Sequence, residues 1–325
     1  MITSITPLRV SLFGGGTDFP EYFKKKNCII IGGTIDKYIY ISLNNYYSNL
    51  FDHKIKLFYN MLEFVNSINS IKHPVVKKVF TKEKLFKNLE MHIAADLPSS
   101  SGLGSSSAFA VGLVNVVDFY KDKKKISKLL LAKKVIKFER EELNEYVGFQ
   151  DQIFSSMGGF AQIEIDKRCN IKYKKYKNKK FIKKIEKNLF LVFSGIKRSA
   201  SKIEKKKIKK IEYNIKLLNE INSIALDSHR KILKAKSPDF IGENLHKTWN
   251  IKKKLDKNVS NSKIDKIYDK AIKYGAIGGK LLGAGSGGFL LFYVPQKQHK
   301  LFLSKFRNAF VKFKFSEKGS KVIKY

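Results

Sequence analysis

The chain is 325 residues long, which is enough for two domains that each bury a core. No stretch approaches the roughly 18 apolar residues of a membrane span, and no signal-like segment opens the chain, so we expect a cytoplasmic protein without a membrane partner. The two cysteines lack the spacing of a zinc site or a disulfide framework, so we expect them to be reduced. The net charge of +37 comes from lysine, with only six arginines, whereas nucleic-acid readers rely on arginine, so we expect solvated lysine surfaces and no nucleic-acid partner.

The first half of the chain predicts a sheet and two long helices. Apolar alternation and turn residues predict strands at 3–13, 28–31, 35–43, 89–95 and 160–165. Apolar residues at three-to-four spacing predict helices at 109–120 and 126–144. The lysine-rich stretch 167–187 predicts a connection, which places a domain boundary near residue 180.

The second half predicts a domain of the α+β class with a mostly antiparallel sheet. Strands are expected at 189–193, 288–294, 311–315 and 321–325. Helices are expected at 208–221, from Ser237-Pro238-Asp239 onward, at 262–274 and near 301–310. With the boundary near residue 180, the predicted domains are 1–180 and 181–325.

A serine- and glycine-rich loop, Pro98 to Ala108, lies between a predicted strand and a strongly apolar helix. Small residues let successive backbone N–H groups converge on an anion, and the start of a helix adds the positive end of its dipole. No lysine follows the glycines as in a Walker A motif, which disfavours P-loop NTPases. Loops of this composition are often plain turns, but the strand before it and the helix after it favour phosphate binding.

Three segments of the chain, in the right order, resemble the signatures of the GHMP kinase superfamily, named for galactose, homoserine, mevalonate and phosphomevalonate. They are Thr6–Val10 with Gly14–Asp18, Pro98–Phe109, and Gly279–Gly288. Within the superfamily, the chain most resembles the D-glycero-D-manno-heptose 7-phosphate kinases. That closer resemblance lies in four short motifs: Gly-Gly-Gly-Thr-Asp, His73-Pro74, Phe149-Gln150-Asp151-Gln152 and Gly278-Gly279-Lys280.

The resemblance implies a fold and an activity. The fold is a two-domain GHMP kinase fold, with a ribosomal-protein-S5-domain-2-like α/β domain that binds ATP at 1–180 and a ferredoxin-like α+β domain at 181–325. The activity is Mg²⁺-dependent transfer from ATP to the anomeric hydroxyl of D-glycero-D-manno-heptose 7-phosphate, giving the 1,7-bisphosphate for nucleotide-activated heptose and surface polysaccharides. The implied partner is a small sugar phosphate, and a homodimer stays open.

The resemblance also implies the site residues. The catalytic pair is Asp151, suited to accept or orient the hydroxyl proton, and Arg9, a cation on a strand that otherwise reads as core. The ATP-binding residues are Pro98, Ser99, Ser100, Ser101, Gly102, Leu103, Gly104, Ser105, Ser106 and Ser107. The metal ligands are Ser106 and Glu139, with Glu141 and Glu142 as alternatives to the latter. The substrate-binding residues are Gly14, Gly15, Gly16, Thr17, Asp18, Asp151, Lys197, Arg198, Ser199 and Gly285.

Four alternatives remain open at the level of sequence. Another sugar 1-kinase, acting on galactose, fucose or an N-acetylhexosamine, is the nearest, although galactokinases carry Gly-Glu-His-Thr-Asp where this chain has Gly15 to Asp18. An ATP-dependent decarboxylase of the diphosphomevalonate type is a second alternative. A lysine-rich nucleic-acid-binding protein is an alternative from a different class. The Lys197 to Ser199 segment can also be an exposed loop of a lysine-rich protein rather than a second anion site.

Overall fold

The computed structural model describes residues 1–86, 88–196 and 211–325. Its strands are β1 (Ile2–Phe13), β2 (Cys28–Asn45), β3 (Ile55–Phe58), β4 (Leu62–Val65), β5 (Leu89–Ala95), β6 (Phe160–Ile165), β7 (Ile171–Lys175), β8 (Leu189–Phe193), β9 (Gly278–Leu281), β10 (Phe289–Tyr293), β11 (Phe310–Val311) and β12 (Lys321–Lys324). Its helices are α1 (Pro20–Phe23), α2 (Pro74–Lys82), α3 (Ser105–Asp122), α4 (Lys128–Lys137), α5 (Gln150–Met157), α6 (Lys179–Lys187), α7 (Ile215–Lys234), α8 (Phe240–Leu255), α9 (Ser262–Lys273) and α10 (His299–Phe306).

The first sheet has eight strands and is organised around the long strand β2. The strand β1 pairs antiparallel with β2 along one edge, and on the other edge β2 pairs first with β6 and then with β5. The sheet order is β12-β1-β2-β5-β3-β4, with β6 and β7 extending from the first half of β2. The two strands predicted at 28–31 and 35–43 are therefore one continuous strand, since Gly32 and Gly33 do not interrupt it.

Two expectations about this sheet were wrong. The segment 321–325 was expected in the second sheet. It instead forms β12 in the first sheet, because backbone groups at the edge of β1, from Ile2 to Ile5, pair with it. The stretch 167–187 is not a simple connection, since it contains β7 and α6. Its lysines are mostly exposed, whereas Phe181 and Ile185 are buried. The lysine-rich composition therefore did not indicate that the segment is ordered and has an apolar side.

The second sheet has four antiparallel strands in the order β11-β8-β10-β9, which confirms the α+β expectation for this part of the chain. The helix α8 packs on β9 and against α7. A separate apolar core forms around Trp249, Phe292 and Phe302, which are fully buried. The division of the chain at residue 180 remains a prediction.

The two sheets meet where the serine- and glycine-rich loop lies. The amide of Phe289, in β10, donates to the carbonyl of Ser101 over 2.9 Å, and α3 starts directly after this loop and packs on β1 and β2. An apolar core runs across this junction, since it contains Leu103 together with Leu282 and Phe289. The loop is thereby held between elements from both halves of the chain.

The two cysteines, Cys28 and Cys169, are not bonded to each other. In residues 1–86, 88–196 and 211–325, none of the helices has both the length and the apolar character that crossing a membrane requires.

Candidate active site

Arg9 and Asp151 form the centre of the candidate site. The Nε of Arg9 donates to Oδ1 of Asp151 over 2.7 Å, and Nη2 donates to Oδ2 over 2.6 Å. The remaining terminal nitrogen, Nη1, donates to the carbonyl of Gly102 over 2.7 Å. Bidentate guanidinium–carboxylate pairs are strong and fix both groups in one plane. The structure therefore brings both predicted catalytic residues together and joins them to the serine- and glycine-rich loop.

The loop itself has the backbone that a phosphate cradle needs. Gly102 and Gly104 have φ of +83° and +72°, a region that residues with a Cβ rarely adopt. A Cβ at Gly104 would lie 3.1 Å from Nε of Arg9, so glycine also permits the loop to approach the arginine closely. Pro98, Ser99 and Ser100 are exposed, and the N–H groups of Ser105 onward begin α3. The ten predicted nucleotide residues thus form one continuous loop and helix start.

Glu139 is the buried acidic residue beside this helix. It lies in a π-helical turn, Phe138–Glu142, with only 1% of its surface exposed. Its Oε2 accepts from the hydroxyl of Ser107 over 3.2 Å and from the side-chain amide of Gln152. Burial raises the pKa of Glu139 to about 8, because an ionised carboxylate loses its hydration there.

The alternatives to Glu139 lie elsewhere. Glu141 is exposed, and Glu142 forms an ion pair with Lys82. Ser106, the other predicted metal ligand, is exposed on the first turn of α3, whereas Ser107 is the hydroxyl that contacts Glu139. No group of three or more His, Cys, Asp or Glu side chains gathers into a metal site in the described part of the chain.

The triple glycine, Gly14 to Gly16, and Asp18 form a turn that contacts the start of α5. Thr17 donates to the carbonyl of Gly14 through both its amide and its hydroxyl, at 3.1 and 2.8 Å. Oδ1 of Asp18 accepts from the amide of Gly16 over 3.0 Å, and Oδ2 accepts from the amide of Gln150 over 3.1 Å. Burial raises the pKa of Asp18. Asp18 therefore holds the start of the helix that carries Asp151, a positioning contact that the sequence did not reveal.

Arg9, Asp151 and the turn residues Gly15, Gly16 and Asp18 line one cleft that is open to solvent. Arg9, Asp18, Asp151 and Lys280 are among its polar residues. Its other wall is apolar and comes from the second half of the chain, with Ile211, Leu218, Ile221 and Leu255. Clefts of this kind, mostly apolar with a few convergent polar groups, are the usual form of small-molecule sites.

Four of the predicted substrate residues, Gly285 and Lys197 to Ser199, are not among the cleft residues that the structure describes. Gly285 has φ of +114°, and a Cβ there would lie 2.7 Å from the Cα of Val259, so its close approach is to the protein rather than to the cleft. Lys197, Arg198 and Ser199 lie outside the described residues. Gly15 and Gly16 line the cleft, as expected.

Sequence reasoning missed two lysines of this cleft. Nζ of Lys252, on α8, donates to the carbonyls of Leu281 and Gly283, each over 2.7 Å. Nζ of Lys280, on β9, donates to the carbonyl of Leu12 over 2.8 Å. In a chain with so much lysine, neither residue stands out. Lys280 does follow Gly279 directly in the glycine-rich segment Gly279–Gly288, and that position was the available signal for a site residue.

The chain is similar to known proteins over most of its length. The chain matches the GHMP kinases N terminal domain over residues 69–159 and the GHMP kinases C terminal domain over 230–312. It is 32% identical to the D-glycero-alpha-D-manno-heptose 7-phosphate kinase of Campylobacter jejuni, with 98% of each chain covered. It is 24% identical to the galactokinase of Pyrococcus furiosus, over 92% of this chain and 90% of that one.

Solved structures share the fold. The D-glycero-D-manno-heptose 1-phosphate kinase of Bacteroides thetaiotaomicron superposes with a TM-score of 0.81 at 21% identity, covering 100% of this chain and 99% of that one. The predicted two-domain fold is thereby confirmed. From the two matched domain families and the full-length relative, the chain belongs to the GHMP kinase family and is an ATP-dependent phosphotransferase with an alcohol group as acceptor.

Proposed function

We propose that this kinase transfers the terminal phosphoryl group of ATP to the anomeric hydroxyl of D-glycero-D-manno-heptose 7-phosphate. The observation that carries the proposal is the pairing of Arg9 with Asp151 at the cleft, where Arg9 also donates to Gly102 of the serine- and glycine-rich loop. The choice of sugar is supported by the full-length relative from Campylobacter jejuni, whose name states this substrate. The product is the 1,7-bisphosphate, and a sugar phosphate is the small-molecule partner.

The nucleotide belongs on the loop from Pro98 to Ser107. Backbone N–H groups at a glycine-rich helix start bind phosphate oxygens without any charged side chain, and the positive φ of Gly102 and Gly104 shapes the loop for this. Arg9 contacts the same loop through Gly102 and supplies a positive charge next to it. This arrangement concentrates positive potential where the transferring phosphoryl group passes.

The residues present fit a magnesium ion. Glu139 is a buried carboxylate whose hydrogen bonds from the described residues come from the neutral groups of Ser107 and Gln152, and buried charges are stable only when paired or bound to metal. Hard oxygen ligands suit Mg²⁺, which keeps water and nucleotide oxygens as its remaining ligands. Glu139 with Ser106 or Ser107 would hold the ion, which would neutralise negative charge on the phosphates.

The acceptor sugar belongs against the turn from Gly14 to Asp18. Gly15 and Gly16 have no side chain and let a sugar approach the backbone, and Thr17 and Asp18 hold the turn in place. Asp151 would accept or orient the proton of the attacking hydroxyl, and the apolar wall at Leu218 and Leu255 would exclude water from it. Lys197, Arg198, Ser199 and Gly285 remain predicted substrate residues.

The experiment is a panel of acceptors with Mg-ATP and measurement of ADP formation. The panel contains D-glycero-D-manno-heptose 7-phosphate, the same heptose without phosphate, galactose, fucose and N-acetylhexosamines. We expect the phosphorylated heptose to give the highest kcat/KM by at least about 100-fold, because a site that pairs with the 7-phosphate would leave its polar groups unpaired when that phosphate is missing. A higher kcat/KM for galactose or fucose would replace the proposed substrate by that sugar.

A further inference from the structure

Lys280 is a buried amine in the candidate cleft that the proposed reaction does not use. It is only 5% exposed, and it lies on β9, in the second sheet. Its Nζ reaches across to β1, where the carbonyl of Leu12 accepts its hydrogen bond over 2.8 Å. An ammonium group has three N–H donors, so this contact leaves hydrogen-bonding capacity on a side chain that lines the cleft.

The charged groups around Lys280 do not neutralise it. The cations Arg9, on β1, and Lys252, on α8, line the same cleft, as do the carboxylates of Asp18 and Asp151. Both carboxylates are already engaged, Asp18 by Gly16 and Gln150 and Asp151 by Arg9. Within the described part of the chain, neither carboxylate forms an ion pair with Lys280. A buried ammonium group without a paired anion is costly, so the surroundings of Lys280 favour the neutral amine.

The pKa of Lys280 agrees with this geometry. Burial is the main cause that lowers it, the positive charge of Arg9 lowers it further, and Asp18 raises it in part, with a result of about 7. Near neutral pH the side chain is therefore divided between amine and ammonium.

Two neighbouring polar groups indicate that the cleft floor is built for a ligand. The hydroxyl of Ser11 and the side-chain oxygen of Gln150 are buried and make no hydrogen bond to the described residues. Both residues line the cleft together with Lys280. Buried polar groups without partners are rare in folded proteins. The hydroxyl of Ser11 can donate to an oxyanion, whereas the side-chain oxygen of Gln150 can only accept, as from a ligand hydroxyl.

We propose that Lys280 binds a phosphoryl oxyanion at the floor of the cleft and takes up one proton from solvent when the phosphate-bearing ligand binds. The step converts R–NH₂ and a solvent proton into R–NH₃⁺, which pairs with the incoming anion. The inference rests on the proposed function for the class of ligand. The oxyanion can belong to the sugar phosphate or to the terminal phosphate of the nucleotide, and separate titrations distinguish the two.

The test is isothermal titration calorimetry of the whole protein at pH 7.5 in two buffers with different ionisation enthalpies. D-glycero-D-manno-heptose 7-phosphate is titrated in one arm, and Mg²⁺ with a non-hydrolysable ATP analogue in the other. For a group with a pKa of about 7, one arm should show uptake of roughly half a proton or more per site, and the uptake should shrink towards pH 6.

Three variants separate binding from folding. Lys280→Met should abolish the uptake and weaken binding of the same ligand about 10- to 100-fold, as expected for a lost hydrogen bond to a charged group. Lys280→Arg keeps a permanent charge, so it should retain more affinity than Lys280→Met but show no uptake. Lys324→Met removes an exposed lysine of β12 and should bind and take up protons like the unaltered protein.

The outcomes are distinct. The inference is overturned if the unaltered protein binds without proton uptake, or if uptake persists unchanged in both Lys280 variants. Binding of neither ligand by the unaltered protein would overturn it as well. If uptake occurs only with the nucleotide analogue and no heptose supports ADP formation, the inference stands while the proposed sugar is wrong.

Discussion

Asp151 receives both its hydrogen bonds from Arg9, at 2.7 and 2.6 Å, although the two residues are 142 positions apart in the chain. The same guanidinium reaches the carbonyl of Gly102. One side chain therefore joins the proposed proton acceptor to the proposed nucleotide loop. A substitution at Arg9, Asp151 or Gly102 should therefore alter the hydrogen bonds of the other two residues.

Replacing Asp151 by Asn should lower kcat by about 10²- to 10⁴-fold, the usual contribution of general acid–base catalysis. The free energy of unfolding should also fall, by about 1–3 kcal/mol, because the buried charge of Arg9 loses its carboxylate partner. Steady-state kinetics and urea unfolding measure the two effects. Asp122→Asn, at an exposed site at the end of α3, is the matched control and should change neither. Turnover near that of the unaltered protein would remove Asp151 from the mechanism.

Replacing Arg9 by Lys should show that the geometry matters as well as the charge. Lysine cannot donate in parallel to both oxygens of Asp151 while also holding the carbonyl of Gly102. We expect kcat/KM to fall by about 10- to 100-fold, corresponding to one or two lost charged hydrogen bonds. Arg307→Lys, on an exposed arginine, should leave kcat/KM unchanged. Equal kinetics for the two variants would contradict the role of the paired contact.

Replacing Glu139 by Gln should remove the proposed metal carboxylate while keeping its shape. We expect kcat to fall at least about 100-fold, since a bound metal ion supplies several kcal/mol of charge stabilisation. Glu141→Gln, in the same π-helical turn but exposed, is the control and should retain activity. Loss of activity in the Glu141 variant alone would transfer the metal role to that residue.

Comparing the unaltered protein with Glu139→Gln in the absence of metal should show how the stability contributed by Glu139 depends on pH. Burial raises the pKa of Glu139 from 4.5 to about 8, so its contribution to stability is complete below pH 4.5 and is lost as the pH rises through 8. Between pH 5 and 8, the unaltered protein should therefore lose stability relative to Glu139→Gln. Thermal unfolding of both proteins across this range measures the difference. A constant difference across this pH range would contradict the buried position of the carboxylate.

Gly102→Ala should destabilise the junction between the two halves. Its φ is +83°, and a Cβ would lie 2.7 Å from the carbonyl oxygen of Leu282. Gly195 provides the matched control, because its φ is +70° but, among the described residues, its Cβ would meet only the end of the flexible Lys263 side chain. Both substitutions carry backbone strain of about 1–3 kcal/mol, and Gly102→Ala should lose more stability than Gly195→Ala in urea unfolding. The reverse order would show that the contact with Leu282 is not the constraint.

The sequence predicted most of the elements that position the site. Residues 3–13, the loop at 98–108 and the apolar helix after it have strong periodicity and turn residues, and each is found as expected. Which strand another strand pairs with is harder to predict, since pairing at a sheet edge uses backbone groups that every sequence has. For that reason β12 was assigned to the wrong sheet.

The contacts inside the site were harder to predict than its members. Arg9 and Asp151 were each expected, but their direct bond joins two distant segments that only the fold brings together. Ser107 rather than Ser106 faces Glu139, because the rotation of α3 decides which hydroxyl points inward. The position of Lys280 after Gly279 set it apart from the other lysines of this chain, but its burial could not be predicted, since it depends on the meeting of β9 with β1.

Phosphorus NMR of the product formed from Mg-ATP and D-glycero-D-manno-heptose 7-phosphate tests the central claim most directly. We predict a sugar with two phosphorus signals, one of them coupled to the anomeric proton, and no such product over the same time with Asp151→Asn. A new phosphate on any other oxygen of the sugar, or ATP consumption without a second sugar phosphate, would contradict the account.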